Sequence, residues 1–69
     1  MEIEMIASDL IKKLKKFQGP VYVEISNFND TMHVQAVKKD LINLIETAFT
    51  PKAETGLEMT DDGYIGKDY

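Results

Sequence analysis

His33 is the only imidazole in the chain, and Glu24 is the carboxylate that a β-hairpin would set opposite it. Such a pair suits proton transfer or metal binding. A catalytic zinc needs three protein ligands, and there is no cysteine and no second histidine to complete the set. A cross-strand ion pair on a wet sheet face is the simpler reading. Asn27, Asn29 and Thr31 alternate as calcium-loop ligands do. The glycine needed at the sixth position is Met32, however, and the closing glutamate is Lys38, so that motif fails. Asp61 and Asp62 have the chemistry of a paired general acid and base, or of a magnesium site. Set directly before Gly63 they read instead as a hairpin turn. Ser8 and Ser26 are the only serines, and 69 residues leave little room for a substrate cleft. No catalytic residue, metal or cofactor is expected, and the protein is not expected to be an enzyme.

Charge is informative where catalytic motifs are not. Residues 1–40 hold six acids against six lysines; residues 41–69 hold Glu46, Glu54, Glu58, Asp61, Asp62 and Asp68 against Lys52 and Lys67. The whole net charge of −4 therefore lies in the last part of the chain, and arginine is absent. Bidentate reading of phosphates and guanine edges is mainly arginine's work. Direct nucleic-acid binding is not expected, and Lys12, Lys13, Lys15 and Lys16 read as a solvated helix face. Phe28 stands among turn-forming residues, and Tyr64 and Tyr69 stand among acids. Aromatic points on an acidic surface suit an anchor patch for a basic partner. The candidate partner-binding set is Glu54, Glu58, Asp61, Asp62, Tyr64, Asp68, Tyr69 and Phe28.

The elements that must position these residues follow from periodicity. Ile3, Ala7, Leu10, Leu14 and Phe17 mark one stripe of an amphipathic helix that Gly19-Pro20 stops. That helix leaves Met5 facing solvent. An alternative start at a Ser8 N-cap makes residues 1–6 a short strand, and the longer helix is preferred. Val21, Val23 and Ile25, then Met32, Val34 and Ala36, alternate with polar residues around the loop 27–30. Closing that loop pairs Ser26 with Thr31 and Glu24 with His33, and a one-residue slip would mix the faces. A second helix begins at Lys39 or Asp40 and ends before Pro51. Its apolar arc is wide enough for contact with sheet and first helix together, or with a second copy of the chain. Leu57 to Met59 and Tyr64-Ile65 read as short strands, and the end of the chain from Gly66 as frayed.

The run Ser-Asp-Leu-Ile-Lys-Lys-Leu-Lys-Lys-Phe from Ser8, then Gly19-Pro20, Val-Tyr-Val-Glu-Ile and Val-Gln-Ala-Val-Lys-Lys-Asp-Leu-Ile at 34–42, resembles short bacteriophage accessory proteins. Some small acidic members of that group are anti-CRISPR inhibitors, and the resemblance covers residues 8–46. It implies a stoichiometric inhibitor of a basic, nucleic-acid-binding host defence complex, acting in the host cytoplasm. The alternative is a homo-oligomeric phage structural or accessory protein without an inhibitory role, and a homodimer fits either. No apolar run reaches the roughly 18–20 residues that span a bilayer, so no membrane partner is expected. The Met-Glu-Ile-Glu start lacks the pattern of a secretory signal. The Asn29-Asp30-Thr31 sequon is therefore read as chance.

The predicted architecture is a two-layer α+β domain over residues 1–66, with 67–69 frayed. It runs helix, hairpin, helix (αββα), with one or two short C-terminal strands added to an antiparallel sheet. The predicted core is Leu10, Leu14, Phe17, Val23, Ile25, Val34, Ala36, Leu41, Ile45 and Ala48.

Overall fold

A computed structural model describes residues 5–67. Helix α1 spans Ala7–Lys16, with Asp9 in its first turn and Lys13, Lys15 and Lys16 in its last, each suited to the helix dipole. No side chain caps its start. The Ala7 N–H donates to the Ala53 carbonyl (2.8 Å) and the Ser8 N–H to the Pro51 carbonyl (3.0 Å). Backbone from 51–53 thus takes up donors that a capping side chain would otherwise satisfy. This corrects the expected longer helix: Ile6, with extended backbone, is the cap and bridges to Glu54. Met5 is half-buried rather than solvent-facing, and its carbonyl accepts from the Thr55 N–H (3.1 Å) and the Thr55 hydroxyl (2.9 Å). The reading of residues 1–4 as helix or strand lies outside the described residues.

Strands β1 (Val21–Ser26) and β2 (Thr31–Ala36) form the hairpin, paired from Val21 with Ala36 to Ser26 with Thr31. All six pairs match the register that the alternation predicts. Its loop is closed by Asn27, whose Oδ1 accepts from the N–H groups of Asn29 (3.1 Å) and Asp30 (3.0 Å). Helix α2 follows over Lys38–Ala48, then β3 (Leu57–Met59) and β4 (Tyr64–Lys67). Gly66 and Lys67 are therefore paired in a strand, and Asp68 and Tyr69 lie outside the described residues.

The sheet order is β2-β1-β4-β3, and here the expectation of an antiparallel sheet is overturned. β4 lies parallel to β1, with Tyr22 beside Tyr64 and Val23 beside Ile65, while β3 pairs antiparallel with β4 at the edge. The sheet is mixed, and one of its two central strands is the last in the chain. The Tyr22 N–H donates to the Gly63 carbonyl (2.9 Å) where that parallel pairing begins.

The buried core is Ala7, Leu10, Leu14, Val21, Ile45, Met59 and Ile65. Phe17, Val23, Ala36 and Leu41 pack against it half-buried. The expected core is corrected at Ile25, Val34 and Ala48, which are exposed. Their places are taken by Val21, Met59 and Ile65, at the end of the sheet that α1 covers.

Candidate functional site: the open face of the sheet

Strand alternation sends Tyr22 and Glu24 of β1 to the face opposite the core residues Val21 and Val23. The hairpin register brings Gln35 and His33 of β2 to the same face, and the parallel register brings Tyr64 of β4. Glu58 of β3 arrives opposite Gly66. Two rows cross the sheet: Gln35, Tyr22 and Tyr64, then His33, Glu24, Gly66 and Glu58.

The rings of Tyr22 and Tyr64 stack with centroids 5.1 Å apart and an interplanar angle of 21°. His33 meets Tyr64 edge-on at 4.8 Å and 88°. Its Nε2 lies 3.9 Å from a Glu24 carboxylate oxygen, so the expected cross-strand pair is present at the outer limit of ion-pair distance. A pair this exposed and this long contributes at most about 1 kcal/mol. Gly66 leaves the second row without a side chain at its centre. A Cβ there would stand 3.4 Å from the Glu24 Cβ, so glycine lets the Glu24 side chain lie across the strand. The result is a shallow depression of about 250 Å³, walled by Glu24, His33, Glu58, Thr60, Tyr64 and Lys67. Two carboxylates, an aromatic face and an imidazole can receive a cation by charge and by ring quadrupole, with Lys67 also on the wall.

The sequence-derived candidates separate in space. Glu58 and Tyr64 line this depression together. Asp61 lies in the turn that follows β3, where the Lys13 ammonium approaches its carboxylate at 3.3 Å and also donates to the Met59 carbonyl (2.6 Å). Asp62 is exposed in the same turn, whereas Glu54 precedes β3 at the other end of that strand. Phe28 is fully exposed at the hairpin tip, across the sheet's length from Asp61 and Asp62. Among the described residues, Glu54, Glu58, Asp61 and Asp62 are thus divided between the two ends of β3 and its open face. Tyr22, Glu24 and His33 join Glu58 and Tyr64 only because β4 runs parallel beside β1, a pairing that local periodicity does not contain.

Among the described residues no helix is long and apolar enough to cross a membrane. None of them forms a cluster of three or more histidine, cysteine or acidic side chains set to hold a metal ion. With no arginine and a net charge of −4, random duplex DNA is expected to give no shift in fluorescence anisotropy at physiological salt. A complex of micromolar affinity that weakens steeply with salt would contradict that expectation. No family model, no curated protein and no solved structure matches this chain.

Proposed function

We propose that this protein is a small acidic protein-binding module whose open sheet face receives basic side chains of a partner. The carrying observation is the stacked Tyr22–Tyr64 pair flanked by Glu24 and Glu58 on a face that neither helix covers. Tyrosine supplies rigid contact area at low entropic cost, and cation–π contact is worth about 0.5–2 kcal/mol per pair. The carboxylates select lysine or arginine and speed encounter with a basic surface. The resemblance of residues 8–46 to phage accessory proteins narrows the partner to a nucleic-acid-binding host defence complex, CRISPR-type included. Occupying its basic surface would exclude the nucleic acid, which makes the module a stoichiometric inhibitor.

The test is affinity capture from host lysate with mass spectrometry, using the wild-type protein and Tyr64→Ala as paired baits. Association and dissociation rates of the captured partner are then measured at two salt concentrations. Glu58→Gln is expected to slow association and flatten its salt dependence; Tyr64→Ala is expected to speed dissociation. A partner whose rates are unchanged by both substitutions would place binding elsewhere. Asp62 and Phe28 would then be the surfaces to test.

A further inference from the structure

The two edges of the sheet are built differently. β3 has three residues, and backbone hydrogen bonds run along its outer flank: the Met5 N–H donates to the Leu57 carbonyl (3.3 Å) and the Thr55 N–H to the Met5 carbonyl (3.1 Å). β2 has six residues and forms the other edge. Exposed edges are normally guarded by charge, proline, a bulge or shortness. Thr31–Ala36 carries no lysine, arginine, acid or proline, and it pairs with β1 residue for residue. The Tyr22 N–H points toward β4, so Val21, Val23 and Ile25 are the residues that bond β2. In β2, the N–H and C=O groups of Thr31, His33 and Gln35 therefore point outward. Its helix-side face is apolar and uncovered: Met32 is 55% exposed, Val34 39%, neighbouring Ile25 49%, and Leu44 of α2 62%.

We infer that β2 pairs antiparallel with the β2 of a second copy, making one continuous eight-stranded sheet across a two-fold axis. This rests on the edge and not on the open-face reading. Three constraints select the register. Side chains must stay on their own faces, which excludes odd shifts, because those would turn Met32 and Val34 onto the polar side. Outward-pointing residues must oppose one another. Charge selects between the two compact registers that remain. A two-fold at His33 opposes two imidazoles and sets Asp30 against a neutral residue. A two-fold at Val34 sets Met32 opposite the partner's Ala36 and His33 opposite the partner's Gln35. It also sets Asp30 opposite the start of the partner's α2, where Lys39 and the positive end of the helix dipole stand against one acid, Asp40, and where Lys38 donates to the Phe17 carbonyl of its own chain. That match occurs twice by symmetry, so the second register is the dimer. A domain this small gains from it, because alone it removes only about 60% of its chain surface from water.

Sedimentation equilibrium from micromolar to millimolar protein reads the mass, and amide hydrogen exchange reads the edge. The expected result is a rise toward twice the 7.8 kDa chain. Exchange at Thr31, His33 and Gln35 should slow by about tenfold or more over the same range. Gln35→Pro removes one outward N–H and no bond to β1, so it should give a folded monomer by circular dichroism. Met32→Lys places a charge on the exposed apolar side and should do the same, so the variant test stands even if the proline variant does not fold. A mass of one chain throughout the range overturns the inference, and leaves the edge to a strand of some other protein. So does a dimer that survives either folded variant, or one whose three edge amides exchange as fast as in the monomer.

Discussion

Leu14→Ala is expected to lower the thermal midpoint by about 15–20 °C, the loss of about 3 kcal/mol spread over a domain of this size. Leu10 and Leu14 are each fully buried, one helical turn apart on the face that α1 turns toward the sheet. Truncation removes three carbons and leaves a cavity that rigid neighbours on both layers refill only in part. Domains hold roughly 0.05–0.15 kcal/mol per residue, so the loss is a large share of the total. Leu44→Ala is the matched control. The same atoms leave a side chain that is 62% exposed, and the change is expected to stay within about 0.5 kcal/mol. Melts followed by circular dichroism compare the two. Equal midpoints would mean that the core does not lie between α1 and the sheet.

Gly63→Ala is expected to cost about 2–3 kcal/mol, roughly twice the cost of Gly56→Ala. Both glycines have left-handed backbone, with φ of 91° and 70°. An L side chain pays about 1–2 kcal/mol for that conformation at either site. Around Gly56 an added methyl meets nothing within 4 Å, so backbone strain is the whole effect. At Gly63 it would come within 2.6 and 2.7 Å of the Phe17 ring and 2.9 Å of the Pro20 carbonyl oxygen. The ring can turn aside; the carbonyl belongs to the segment that leads into β1. Urea midpoints of the two variants measure the difference. Adding Phe17→Leu to Gly63→Ala should recover part of the loss and not all of it. Equal midpoints for the two glycine variants would show that the turn yields freely.

What the sequence made legible was whatever local alternation specifies. The hairpin register follows from Val21 to Ser26 and Thr31 to Ala36, because each face repeats every second residue and any odd slip mixes polar with apolar. The body of α1 was legible from Leu10, Leu14 and Phe17. Its start was not. Ile3, Ile6 and Ala7 fit a helical stripe, whereas Met1, Ile3 and Met5 fit a strand alternation, and the Ala7 and Ser8 N–H groups, donating to the Ala53 and Pro51 carbonyls, begin the helix at Ala7. The position of β4 was hidden for a related reason: Tyr64 and Ile65 are too few to show a period, and their partners lie far back in the chain. Misplacing β4 also misplaces the core. With Ile65 and Met59 in the core, Ile25 near the hairpin loop and Val34 on the edge strand β2 are left exposed. The candidate site was legible only in pieces. Glu24 facing His33 could be read from the hairpin, whereas Tyr64 beside Tyr22 needs the parallel pairing.

The central position of β4 also bears on how the protein comes into being. Translation delivers the chain from its N-terminus, so β1, β2 and both helices exist before the strand that joins them to β3 has been made. Until then the hairpin has a bare backbone flank on each side, and Val23 has no Ile65 beside it to complete the core. The sheet is therefore complete only after the synthesis of Tyr64–Lys67, and pairing β4 with β1 carries the chain-entropy cost of closing the long loop between them. A ribosome stalled a few codons short of that strand would hold a nascent chain with both helices and three of the four strands and without the strand that joins β3 to the hairpin.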